Sequence, residues 1–185
     1  MAAILGISGS TRIASFNSML LRALAAAAPS GTVVEIASIR EIPLYDGDLE
    51  AAHGVPAPVE ALKNRLAEAD GLLIVTPEYN NSIPGVLKNA IDWMSRPPTD
   101  VRRVFTGRPV AIAGTTPGLG GTALSQTAWL PVVRTLGMLP WFQGRLMLPG
   151  AGKIFDGSGA IVDPAIEQRV RAFIEGFAAF VATAR

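Results

Sequence analysis

Between Ser8 and Ser18 the chain reads Ser-Gly-Ser-Thr-Arg-Ile-Ala-Ser-Phe-Asn-Ser, a density of donors that few structural roles require. Ser8, Ser10, Thr11, Ser15 and Ser18 offer hydroxyls, Asn17 an amide, and Arg12 a permanently charged fork suited to phosphate oxygens. A helix cap needs one hydroxyl; this stretch has five and an arginine besides. The spacing is neither Gly-x-Gly-x-x-Gly nor a loop closed by Gly-Lys-Ser/Thr, so it suits a monophosphate rather than a pyrophosphate or triphosphate.

Such donors act together only if the backbone aims them. Ala2 to Ile7 is an apolar run of strand length, and Leu20, Leu21, Leu24 and Ala28 then recur near helical spacing before Pro29. The donor stretch is therefore expected to be a strand-to-helix turn, where backbone N–H groups and the positive end of the helix dipole favour an anion.

The same alternation continues along the chain. Thr32 to Ala37 reads as a second strand, Ala57 to Glu68 as a helix with Val59, Leu62 and Leu66 on one face, and Gly71 to Thr76 as a buried third strand. Between them, Arg40 to Pro58 carries three prolines and two glycines and is expected to be a long ordered loop. Ser82-Ile83-Pro84-Gly85 opens a third helix with Ser82 as its cap, and Arg96-Pro97-Pro98 ends it. Val110 to Gly114 is a fourth strand, Gly121 to Leu136 a fourth helix and Met138 to Phe142 a short fifth strand. Pro164 begins a last helix that turns Val170, Phe173, Ile174, Phe177 and Val181 inward. Strands alternating with helices imply one α/β domain over residues 1–185, a doubly wound five-stranded parallel sheet with helices on both faces.

Sheets of this class bind ligands beyond the carboxyl ends of the strands, where strand order reverses. In the order 2-1-3-4-5, the turns after strands one, three and four (Ser8 to Ser18, Pro77 to Pro84, Thr115 to Thr122) are neighbours at that point. Pro77-Glu78-Tyr79-Asn80 offers an aromatic face and amides, and Thr115-Thr116-Pro117-Gly118-Leu119-Gly120-Gly121 offers backbone that can approach closely. A flat heteroaromatic ring joined to a monophosphate suits the three together.

Composition removes several other classes of function. The formal net charge of +1, with basic residues scattered, gives no field for nucleic acid. No apolar run approaches membrane-span length and the amino terminus reads as a strand rather than a signal peptide, so a cytoplasmic protein without membrane contact is expected. There is no cysteine, and the one histidine, His53, lies in the Gly/Pro-flanked loop, which argues against thiolate, triad or metal chemistry.

Gly9-Ser10-x-Arg12-x-x-Ser15-x-Asn17 together with Pro77-Glu78-Tyr79-Asn80-x-Ser82-x-Pro84-Gly85-x-Leu87-Lys88-Asn89-Ala90-Ile91-Asp92-Trp93 resembles the NAD(P)H-dependent FMN reductases, flavodoxin-like proteins that include quinone, chromate and azo-dye reductases. The resemblance implies non-covalent FMN with NADPH or NADH as electron donor and a small-molecule acceptor. It places the FMN phosphate at Ser10, Arg12, Ser15 and Asn17 with nearby backbone, counts Phe16 and Ser18 among the cofactor-binding residues, and borders the ring with Pro77, Glu78, Tyr79, Asn80 and the turn of Thr115, Thr116, Pro117, Gly118 and Gly121. Members often carry serines where this chain has Thr115-Thr116-Pro117. The flavin would carry the chemistry, so no catalytic side chain is expected. The other reading is an electron carrier of the flavodoxin type; such carriers are strongly acidic, whereas this chain has pI ≈ 8.2 and Arg12 in its phosphate turn. The apolar excess at Trp93, Met94, Pro97, Pro98, Trp141 and Phe142 predicts a homodimer or homotetramer.

Overall fold

The computed structural model describes residues 1–184. In chain order the principal elements are β1 (Ala2–Ser8), α1 (Phe16–Ala26), β2 (Thr32–Ala37), α2 (Gly47–His53), α3 (Ala57–Glu68), β3 (Gly71–Val75) and α4 (Gly85–Met94). They continue with α5 (Val101–Val104), β4 (Pro109–Thr116), α6 (Ala123–Thr135), β5 (Leu139–Pro140), β6 (Leu146–Pro149) and α7 (Pro164–Thr183). The sheet is parallel in the order β2-β1-β3-β4-β5, as the distribution of the polar turns predicts, and β6 also pairs with β4.

Each central strand is apolar on both sides because each side is covered. Leu5 and Ile7 of β1 with Leu72 and Ile74 of β3 join the core under α3, α4 and α6. Ile4, Leu73, Val75, Ala111 and Ala113 face the other way and pack beneath α1 and α7. Gly6 lets α1 lie close on β1, since a Cβ there would stand 2.7 Å from Leu21.

The fifth position in the sheet departs from the expected single strand over Met138 to Phe142. Leu139–Pro140 pairs with Pro109 and Val110, the chain leaves the sheet, and Leu146–Pro149 returns to pair with Ala113 to Thr116. Trp141 explains the excursion. Its ring packs on Phe173 and Phe177 of α7 at 5.1 and 5.8 Å, in space that only glycine leaves at Gly144 and Gly176.

The segment expected to be a long loop contains α2. Asp46 caps it, accepting from the N–H groups of Asp48 and Leu49 at 2.9 and 3.4 Å. None of its residues is buried, so no apolar periodicity announces it. Polar contacts hold it to α4: Asn89 and Trp93 both donate to the Pro43 carbonyl, at 2.8 and 3.0 Å, and the Tyr45 N–H donates to Asn89 at 2.8 Å. The Glu50 carboxylate accepts from Arg96 at 2.8 Å and from the Tyr45 hydroxyl at 2.9 Å. Among the described residues no helix is long and apolar enough to cross a membrane, and no cluster of three or more potential metal ligands occurs.

Candidate functional site

The turn after β1 is pinned on both sides. The Gly9 N–H donates to the Val75 carbonyl at 2.8 Å, and a Cβ on Gly9 would meet Leu87 and Pro77 at 2.8 Å, so only glycine lets this turn lie against the turn after β3. Ser15 caps α1, its Oγ accepting from the Ser18 N–H at 3.3 Å. The Arg12 guanidinium lies 5.4 Å from the centre of the Phe16 ring and makes no hydrogen bond or ion pair among the described residues. Phe16 in turn stacks on Phe155 at 6.2 Å. A stacked, uncompensated guanidinium above a helix N-terminus is a receptor for an anion.

The turn after β3 is a tight hairpin. Tyr79 and Ser82 exchange backbone hydrogen bonds at 3.1 and 3.0 Å, and Asn80 and Asn81 both take positive φ, 51° and 60°. Asparagine tolerates that conformation, and the pair forms the two-residue loop that suits the twist of a hairpin. Ser82 is thus a hairpin residue and not the cap of α4, which begins at Gly85 behind Pro84 without a side-chain cap. Asn80 sits exposed at the tip, and Tyr79 is 47% exposed beside it.

Two side chains tie the three turns together. Asn17, 4% exposed, donates from Nδ2 to the Thr115 carbonyl at 2.9 Å and accepts the Thr115 N–H at 3.0 Å. Its carboxamide therefore joins the first turn to the third instead of reaching freely toward an anion. Glu78 Oε2 accepts from the N–H groups of Leu124 and Ser125 at 2.9 and 3.0 Å, capping α6 from the neighbouring turn. The residue before α6, Thr122, has φ 72° and supplies no side-chain cap, so Glu78 fills that role across 46 residues of sequence.

A buried layer that the sequence did not disclose stands behind this. Thr76 Oγ1 lies 2.9 Å from Ser125 Oγ and accepts from Trp129 Nε1 at 3.1 Å, while Gln126 donates to Thr122 and to the Leu146 carbonyl at 3.0 Å. A Cβ on Gly114 would come within 2.3 Å of both Thr122 and the Thr76 carbonyl, so β4 and its turn meet there without room for a side chain. These polar residues sit among apolar positions and carry no local pattern.

Where the turns meet, a cavity of about 240 Å³ opens. Ser10, Arg12, Ser15, Phe16 and Asn17 line it from the first turn, Pro77, Glu78 and Tyr79 from the second, and Thr115, Thr116 and Pro117 from the third. Four expected residues lie apart from it. Ser18 donates to Ser8 at 3.0 Å and lines a separate cavity against β2, and Asn80 is at the hairpin tip. The Gly118 carbonyl accepts from the Gly150 N–H at 3.2 Å, and Gly121, at φ 56°, packs against the backbone of Met147 to Pro149. The Thr115 hydroxyl also turns away, donating to the Leu148 carbonyl at 2.8 Å.

Residues 2–153 match the family model described as NADPH-dependent FMN reductase. The chain belongs to the NADPH-dependent FMN reductase family. Within it, the chain is similar to an NAD(P)H-dependent FMN reductase of Pseudomonas aeruginosa, 42% identical over 160 residues that span 86% of this chain and 84% of the relative. It is also similar to a quinone reductase of Escherichia coli, 38% identical over 178 residues, 94% of this chain and 92% of the relative. Among solved structures, the flavoenzyme NAD(P)H:(acceptor) oxidoreductase FerB from Paracoccus denitrificans superposes with a TM-score of 0.88 at 29% identity, covering 100% of this chain and 99% of that one. The three turns described above all fall inside the segment matched by the FMN reductase model.

Proposed function

We propose that the protein is an FMN-dependent oxidoreductase that takes hydride from NADPH or NADH and reduces a small acceptor such as a quinone, a free flavin, an azo compound or a metal oxyanion. One observation carries this reading: a single cavity is lined by Ser10, Ser15 and Arg12, whose guanidinium is unpaired among the described residues, together with Tyr79, Thr116 and Pro117. That donor set fits FMN. Ser10, Ser15 and Arg12 would hold the phosphate together with the unpaired N–H groups of the first turn of α1. Tyr79, Thr116 and Pro117 would border the ring. Glu78 and Asn17 keep the three walls in register rather than touching the reacting atoms.

FMN, when bound, accepts hydride and passes electrons on, which is why the cavity needs no acid–base pair of its own. With the three turns on one side of it, a flavin seated here would keep the other side open to a small molecule. An open side lets donor and acceptor enter in turn. The family and the relatives' quinone and FMN reductase names support the same reading. Anaerobic mixing of the FMN-loaded protein with NADPH or NADH, before any acceptor is added, tests it: direct reduction supports the enzyme, and reduction only through a protein reductase supports a carrier.

We further propose a homodimer or homotetramer. The residues that first suggested it do not support it uniformly. Trp93 and Met94 are fully buried and Trp141 packs on α7, while Phe142, 64% exposed, remains available. Leu44, Tyr45, Val86 and Leu49, exposed around α2 and α4, are better placed. Light scattering is expected to give a mass of two or four chains; a monomer at micromolar concentration would refute the assembly.

A further inference from the structure

A second cavity, of about 330 Å³, lies on the far side of the Ser8–Ser18 turn, between α1 and the carboxyl end of β2. Its charge is one-sided: Arg12, Arg22 and Arg40 line it and no carboxylate does. The Arg22 side chain makes no hydrogen bond or ion pair among the described residues, and neither does the guanidinium of Arg12. Arg40 donates to the Thr11 carbonyl, which holds the end of β2 against the turn and keeps its charge at the cavity. Ser18 and Arg22 are one turn apart on the same face of α1, where Ser18 is held by Ser8 and Arg22 faces the cavity, which Ser10 and Thr11 also line. The remaining wall is apolar and open, with Ile36 44% exposed on the edge strand and Ile13 90% exposed on the turn.

These features define a guest. Uncompensated guanidiniums with hydroxyls select a phosphate monoester, the cavity is larger than an inorganic ion needs, and exposed isoleucine faces suit a flat base. Ser10 and Arg12 line this cavity and the flavin cavity alike, so one molecule can reach from one to the other across the turn. We propose that the cavity between α1 and β2 takes the 2′-phosphoadenosine half of NADPH, with Arg22 and Arg40 at its 2′-phosphate, and that it makes the protein prefer NADPH to NADH. The proposal rests on the reductase reading for the other half of the molecule. NADH has no phosphate monoester, and the arginines of this cavity would then face an uncharged ribose.

Calorimetric titration of the protein with FMN added tests this without turnover. Adenosine 2′,5′-bisphosphate, adenosine 5′-monophosphate and inorganic phosphate are the three probes. The bisphosphate should bind on the order of 10- to 100-fold more tightly than the monophosphate, and Arg22→Ala should cut that ratio on the order of tenfold. Arg22 lines only this cavity, so FMN content should be retained in the variant, and Arg22→Glu should abolish the preference. Equal affinity for the two nucleotides, a ratio untouched by Arg22→Ala, or inorganic phosphate binding as tightly as the bisphosphate would overturn the proposal. The two readings fail separately. Arg22-dependent binding of the bisphosphate by a protein that holds no FMN would uphold this site and remove the reductase assignment, whereas FMN retention without nucleotide discrimination would do the reverse.

Discussion

Asn17 shows how a residue that looks like a ligand can instead be a fastener. Its side chain satisfies both the N–H and the carbonyl of Thr115, two backbone groups in a strand end that is 1% exposed. Asn17→Ala would leave those groups without partners, and one such unsatisfied buried group costs about 1–3 kcal/mol. Urea denaturation should show a loss of at least that size, together with weaker FMN retention because the first and third turns are no longer held in register. A variant as stable as the parent would mean that the turns are positioned by packing alone. Glu78 makes the same point about what sequence conveys: its type and position suggested a border for a ring, yet its carboxylate caps α6. Partners 46 and 98 residues away are invisible to spacing arguments, whereas the partner of the Ser15 cap, three residues away, lies within the reach of local sequence.

At the scale of elements, what was legible follows from where the stabilisation comes from. Strands β1, β3 and β4 and helices α1, α3 and α7 bury apolar faces, and their apolar patterns make them legible. α2 buries nothing and is held by Asn89, Trp93 and the Tyr45–Glu50–Arg96 group, so it left only proline and glycine for a reader to see. β6 has no separate signal because Trp141-Phe142 reads as the continuation of a strand, although Trp141 leaves the sheet for α7. The polar attachment of α2 carries a pH dependence. Hydrogen bonds from Arg96, then from Tyr45, hold the Glu50 carboxyl below the ordinary glutamate range, and the bond to Glu50 raises the Tyr45 hydroxyl. A carboxyl lowered in the folded state stabilises it above its unfolded value, about 4.3, and that contribution is lost as pH falls through the folded value. Amide-exchange protection at Tyr45 and in α2 should therefore drop as the pH is lowered below about 4. In Glu50→Gln the protection should be low already at neutral pH and no longer respond to acid. Protection independent of pH in the parent protein would show that this ion pair does not hold the segment.

For the whole molecule, the strand order brings the turns after β1, β3 and β4 side by side at the point where the sheet reverses direction, and the cavity is the consequence. That much could be derived from alternation and from the placement of polar turns. The division of labour within the turns could not: Arg12, Ser10 and Ser15 line the cavity, the first with a guanidinium that has no hydrogen bond or ion pair among the described residues, while the side chains of Asn17, Glu78 and Thr115 bond to neighbouring backbone. The proposed reductase requires that this cavity present a bound flavin to a small nicotinamide directly, with no protein partner between them. Anaerobic stopped-flow mixing of the FMN-loaded protein with NADPH, followed by a quinone in a second mix, tests that requirement. The prediction is loss of the yellow absorbance within seconds on the first mix and full recovery on the second, with parallel double-reciprocal lines in steady state. Absorbance that persists for minutes with NADPH and with NADH, yet falls at once when a flavodoxin reductase is supplied, would contradict it.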